Sequence, residues 1–464
     1  MRIASFIFLW VSCFTAKAQE KTVQHIGWKG NRIELHTINN KQQSCTVLLG
    51  KDSLKVFLIN DNAKVLELFT IQRIPNENFS GGFIKNSNIY LYLDNPKKDN
   101  LHSLLYNIDS KILSENLVPF VLKSGKIINK LSSNNYFFYF TLNTKTSEFV
   151  IYRFNDEMHY DTTRYTSAPG IVEDMKNKDG SIFNKATINV ERADMEGECD
   201  LDIARDSKKL YVRNDTLFLL INNLRTTTKV YTFDLTNNKM DYRLIMHKND
   251  DSLSEPFVCN SFLLRNNLYY ASASYNNLFL QVLDFYTGNI IKEFKANRNE
   301  EINFKNTPIT QEGDAMGGAG VRELGKTKQL LRKMTNGSIV ITAIPNDEKN
   351  VLELLVGSYQ QITSGGGGGG MWMGGGGMSA PIFMPTGGFS HGSWSKSARF
   401  KMLISASNYE HLNGDIPLSI NDRIDNYTKG TKIPAEGENL FVINGNYNYA
   451  YYDKDKLDFI LVKL

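Results

Sequence analysis

Apolar residues along this 464-residue chain fall in runs of five to eight, rich in Tyr, Phe, Ile, Leu and Val and split by clusters of Asn, Asp, Gly and Ser. Runs of that length, bounded by turn-forming residues, predict short strands. One unit recurs: a strand, a polar turn, then a second apolar strand. Turns at Lys51–Ser53, Asn86–Asn88, Ser133–Asn135, Asn214–Thr216, Arg265–Asn267, Asn336–Ser338 and Glu438–Asn439 lead into strands that begin at Leu54, Ile89, Tyr136, Leu217, Leu268, Ile339 and Leu440. A third strand follows most copies, as at Lys229–Leu235 and Phe279–Phe285, and a fourth follows in places, as at Ile290–Phe294. The stretch Leu457–Leu464 reads as a third strand with no fourth after it. An open edge is a liability that folded proteins cover, so a segment within Lys21 to Ile38 is expected to supply the missing outer strand.

This pattern resembles β-propeller proteins with four strands per blade. The resemblance implies an all-β fold of seven blades with long loop insertions. No Trp-Asp or kelch di-glycine signature accompanies it, so it points to no particular propeller family. Seven blades of ~40–45 residues need roughly 300 residues, and the chain is longer. The excess falls at 169–205, 296–325, 362–398 and 407–435. Three of these segments read as links between blades, which places them on one face. The glycine-rich fourth reads as a link between a blade's third and fourth strands, on the opposite face. An irregular β-sandwich, or two smaller all-β domains, would show a similar alternation.

The N-terminus changes the compartment. Arg2 is followed by an apolar run from Ile3 to Phe14 and by Ala16-Lys17-Ala18. That order is the pattern of a cleavable export signal over residues 1–18, with the domain occupying 19–464. A lipid-anchored start at Cys13 and a buried N-terminal helix are the alternatives. Export implies the periplasm, the cell surface or the medium. No other stretch is long and apolar enough to span a bilayer as a helix. Without Arg2 and Lys17 the net charge falls from +4 to about +2, which argues against a nucleic-acid partner. Cys45, Cys199 and Cys259 match no zinc or redox spacing, and read as buried thiols or one optional bridge.

Candidate chemistry is sparse. The segment around Gly365–Gly370, Met371-Trp372-Met373 and Gly374–Gly377 lacks the Lys and fixed glycine offsets of a phosphate loop. It reads as a mobile loop, or as apolar fingers (Met371, Trp372, Met373) for a partner or peripheral membrane contact. Acids concentrate at Glu191, Asp194, Glu196, Glu198, Asp200, Asp202 and Asp206. They lack the calcium-loop register. The group reads as a solvated acidic loop, with Glu196, Glu198, Asp200 and Asp202 as candidate binding residues. The seven histidines form no metal or protease motif, and no Gly-x-Ser-x-Gly elbow is present. The basic stretch Gly325–Lys333 reads as a solvated flank leading into an inner strand. No catalytic residue, metal or cofactor is expected. The composition therefore favours a non-enzymatic binding or scaffolding protein for a protein, peptide or glycan. The alternative is an extracellular hydrolase acting on a polymer through carboxylates on the same face.

Overall fold

A computed structural model describes residues 21–29, 33–40, 43–60, 62–95, 97–122, 125–133, 135–176, 190–193, 198–222, 224, 226–247, 257–313, 320–347, 349–363, 393–431 and 435–464. The expected export signal, Glu196 and the Met371-Trp372-Met373 segment lie outside them.

The chain is all-β and of the propeller class, built from seven antiparallel sheets. After β1 (Lys21–His25), strands β2 (Glu34–Asn39), β3 (Ser44–Leu49), β4 (Ser53–Ile59) and β5 (Val65–Gln72) form the first complete sheet. The second holds β6 (Asn78–Lys85), β7 (Asn88–Asp94), β8 (Asn100–Asn107) and β9 (Ile112–Pro119), and the third β10 (Lys126–Ser132), β11 (Phe137–Asn143), β12 (Glu148–Phe154) and β13 (Tyr160–Thr166). Short helices α1 (Ile171–Met175) and α2 (Leu201–Ala204) precede β14 (Lys208–Arg213), β15 (Thr216–Ile221), β16 (Thr227–Asp234) and β17 (Lys239–Met246), the fourth sheet. The fifth is β18 (Val258–Leu264), β19 (Asn267–Ala273), β20 (Asn277–Asp284) and β21 (Ile290–Asn297). Next come β22 (Thr310–Glu312), β23 (Arg322–Glu323), α3 (Thr327–Asn336), β24 (Ser338–Asn346), β25 (Val351–Thr363) and β26 (Ser393–Ser405). These strands make a five-stranded sheet ordered β24-β25-β26-β22-β23. The last elements are α4 (Ile420–Thr431), β27 (Ala435–Ile443), β28 (Asn446–Asp453) and β29 (Asp458–Lys463). As the open end of the last sheet required, β1 pairs with β29 as its fourth strand, from Lys21 opposite Val462 to His25 opposite Asp458.

Burial follows position in the sheet. Second strands such as β11 are buried along their whole length because other sheets cover both faces, whereas fourth strands such as β9 are mostly exposed. The strands form two compact units, one from β1–β5 with β27–β29 and one from β6–β26. In the first unit, Leu35, Leu48, Phe57 and Ile59 share a core with Phe441, Tyr452, Phe459 and Leu461, and Phe57 stacks on Phe459 at 5.1 Å. Gly437 adopts a left-handed conformation where a Cβ would meet the Ile33 carbonyl at 2.9 Å. In the second unit, consecutive sheets meet through aromatic pairs: Tyr92 with Phe137 at 5.1 Å, Phe140 with Phe233 at 5.1 Å, Phe218 with Phe285 at 5.5 Å. A bulge at Ser80 interrupts the β6–β7 ladder, and the next residue, Gly81, leaves room for the Phe137 ring, which a Cβ would meet at 2.5 Å.

Three expectations are corrected. The recurring turns do not mark one position in every sheet: Leu54 lies in a third strand, Ile89 in a second, and Ile339 and Leu440 in first strands. The basic stretch before β24 is helical, and α3 buries Thr327, Leu330, Leu331 and Met334. The glycine-rich link joins second strand β25 to third strand β26, because β22, from upstream, takes the outer position against β26. In an up-and-down sheet the link from second to third strand leaves from the end where the first strand begins. The glycine link therefore shares that end with the segment entering β24, and the 407–435 link leaves from the other.

Candidate functional site

Residues 198–206 of the acidic insertion are held by hydrogen bonds to neighbouring elements. Asp200 precedes the single turn of α2, where the Ala204 amide donates to the Asp200 carbonyl at 2.8 Å. A helix end leaves carbonyls without partners. Asn260 on β18 supplies them: its Nδ2 donates to the carbonyls of Ala204 (2.9 Å), Arg205 (3.0 Å) and Ile339 (2.9 Å). Its Oδ1 accepts from Lys209 Nζ at 2.6 Å, the Ser261 amide at 2.9 Å and Asn222 Nδ2 at 3.3 Å. One amide side chain thus fastens the insertion to the first strands β18 and β24.

Lys209 is fully buried and also donates to the Asp206 carbonyl. Burial pulls its pKa from 10.5 down to about 8, against the opposing pull of Asp206. A neutral amine has two N–H donors, matching the two acceptors present. Between pH ~8 and ~10.5 the unfolded chain holds a proton that the folded chain has released, so stability rises with pH across that window. The difference in unfolding free energy between the wild type and Lys209→Met should therefore shift by about 3 kcal/mol in favour of the wild type from pH 7.5 to 10.5. Urea titrations at the two pH values measure it.

The acids divide by what they touch. Glu198 Oε2 accepts the Asn421 amide at 3.0 Å, at the start of α4, where Ser419 and Asp422 cap each other. Burial raises the Glu198 pKa, while that amide and Lys401 counter the effect. Nearby, Lys401 Nζ lies 2.9 Å from Glu353 and 3.5 Å from Asp422. Asp202 pairs with Arg205 Nε at 3.0 Å, and the Arg205 guanidinium lies 5.0 Å from the Tyr359 ring. Asp200 is different. It is half-buried, and its carboxyl group has no hydrogen-bond or ion-pair partner among the described residues. Burial, then the charges of Glu198 and Asp202, push its pKa up to about 7.

Of the four acids singled out in the sequence, Glu198 and Asp202 are engaged by the fold, the Asp200 carboxyl has no partner among the described residues, and Glu196 lies outside them. Sequence reading missed Asn260 and Lys209. The polar pair Asn260-Ser261, set inside an otherwise apolar strand, was the available signal.

No family model matches the chain, and no curated protein matches it. Among solved structures it is similar to the SapL1 lectin in complex with alpha methyl fucoside (7% identity, TM-score 0.26, 71% of this chain and 90% of that one). It is also similar to an oligogalacturonate lyase from Vibrio parahaemolyticus (8% identity, TM-score 0.37, 96% of each chain). A third is the cobalt-substituted Synechocystis ACO (8% identity, TM-score 0.30, 57% of this chain and 62% of that one). At these identities and TM-scores none of their activities transfers to this chain.

Proposed function

We propose that the protein is a non-enzymatic binding protein, exported to the periplasm, cell surface or medium, which recognises a glycan, peptide or protein through the surface around Asp200. The observation that carries this reading is a half-buried carboxyl group, without a partner among the described residues, on a segment hydrogen-bonded through Asn260, Lys209 and Glu198. Preorganised polar groups of this kind lose little freedom when a ligand binds. Glycan hydrolysis normally uses a pair of carboxyl groups. Of the two acids flanking Asp200, Glu198 accepts the α4 amide and Asp202 is ion-paired with Arg205, which supports recognition over hydrolysis.

The test is a glycan and peptide array probed with the tagged protein, followed by titration of the best ligand. Asp200→Asn should weaken binding at least about tenfold, in the range of a lost charged hydrogen bond, without moving the thermal midpoint. Wild-type affinity should rise from pH 6 to pH 8 as Asp200 ionises, and the variant should lose that dependence. Release of new reducing ends from a glycan ligand would instead establish the hydrolase. Unchanged affinity in Asp200→Asn would move the site elsewhere.

A further inference from the structure

A second polar layer lies between the fourth and fifth sheets of the same unit. His247 follows β17, is 6% exposed, and stacks on Tyr270 of β19 with ring centroids 3.7 Å apart. Its Nε2 lies 2.7 Å from Thr228 Oγ1, and that hydroxyl lies 2.7 Å from Asn222 Oδ1. Asn222 Nδ2 faces the Asn260 carbonyl oxygen, so Asn222 Oδ1 is an acceptor and the single Thr228 proton points to it. Nε2 must then carry the imidazole proton and donate to Thr228. Nδ1 is left as a bare lone pair, buried and without a hydrogen-bond partner. A buried acceptor left without a donor is destabilising. Burial holds the ring neutral, its pKa lowered to about 3.

The strand register brings a thiol to the same layer. Cys259 lies opposite Ser272, and Ser261 opposite Tyr270. Residues two apart share a face, so Cys259, Ser261, Tyr270 and Ser272 occupy one face of the β18–β19 pair. That face is turned to the fourth sheet, because Ser261 Oγ donates to Asn222 Oδ1 at 2.8 Å. Ser272 is fully buried, and its hydroxyl is a second polar atom without a partner. His247 and Cys259 are also tied to one loop: the His247 amide donates to the Thr226 carbonyl at 2.8 Å, and the Cys259 thiol to the Leu224 carbonyl at 3.4 Å.

An imidazole whose tautomer is fixed by donation from one nitrogen, leaving the other bare, is the arrangement that ligates metals. Among the described residues no three His, Cys, Asp or Glu side chains gather as a metal cage. The ligands that the described residues offer a cation in this layer are a soft sulfur and an imidazole nitrogen, a set that suits copper(I). We propose that His247 Nδ1 and Cys259 Sγ form a two-ligand site for a soft monovalent cation of the copper(I) type, with the Ser272 hydroxyl beside it. Binding replaces the thiol proton with the metal and involves no redox step.

The test uses the reduced full-length protein, loaded with copper(I) as its acetonitrile complex in competition with a chromogenic chelator. One copper per chain should survive competition. X-ray absorption at the copper edge should show one sulfur and one nitrogen as nearest neighbours. Cys259→Ser should abolish uptake and His247→Gln should weaken it about tenfold or more. Cys45→Ser, Cys199→Ser and Asp200→Asn should leave it unchanged, which separates this site from the Asp200 surface. A sulfur-only shell in the wild type, where no folding defect of a variant intervenes, overturns the proposal. So does uptake that persists in Cys259→Ser.

Discussion

Removal of Lys21–Gly27 should lower the unfolding free energy by about 3–5 kcal/mol, the combined loss of a strand's hydrogen bonds and a buried isoleucine. The segment gives β29 its only partner on that side, through five residue pairs. The Ile26 and Gly27 amides donate to the Leu457 carbonyl at 2.9 and 3.1 Å, Thr22 donates to the Ala63 carbonyl at 3.2 Å, and His25 meets Asp458 at 2.8 Å. Ile26 belongs to the core shared by the two sheets of its unit. Without the segment, β29, buried along most of its length, becomes a free edge. Urea denaturation followed by circular dichroism should show an earlier transition and greater self-association. A shift below about 1 kcal/mol, typical of a surface change, would mean that β1 only decorates the sheet.

Asn260→Ala should cost about 3–5 kcal/mol, placing it among the most damaging single substitutions in the chain. It removes the donor to three carbonyls and the acceptor for Lys209, Asn222 and the Ser261 amide. Lys209 would then keep one acceptor for a fully buried amine, and breaking a buried polar contact from one side leaves the other side unpaid. Hydrogen exchange should localise the damage. Amides at 203–206 should exchange faster, whereas β27–β29 in the other unit should keep their protection. Equal loss in both units would mean global unfolding, and no change would mean that water replaces the amide.

The strands were legible because their signal is local. Tyr136–Phe140, Leu217–Ile221 and Leu268–Tyr270 are apolar on both faces because other sheets cover both faces, and that burial leaves a continuous run in the sequence. Position within a sheet was not legible. The turn before Ile339 ends a helix, not a strand, yet Asn-Gly-Ser reads the same in both contexts. The helical spacing of Thr327, Leu330, Leu331 and Met334 was present, but four lysines and arginines drew attention to charge. β22 carries Thr310-Gln311-Glu312 and joins its sheet through backbone pairing that no side-chain pattern announces. The acidic segment was visible from composition. Which of its described acids is engaged depends on Asn421 and Arg205, and only the folded chain brings Asn421 to Glu198.

Two sheets take their outer strand from chain that precedes their first strand: β1 for the last sheet and β22 for the one before it. On a ribosome these strands emerge before the edges they complete. β22 must wait for β26, and Lys21 must wait for Val462. Until then each is an unpaired extended segment, and its sheet presents an open edge. Closing such distant contacts is the slow part of folding, and open edges are where nascent β proteins aggregate. The chain should therefore depend on holdase chaperones until both edges are closed, and the capture of β1 by β29 should come late in folding.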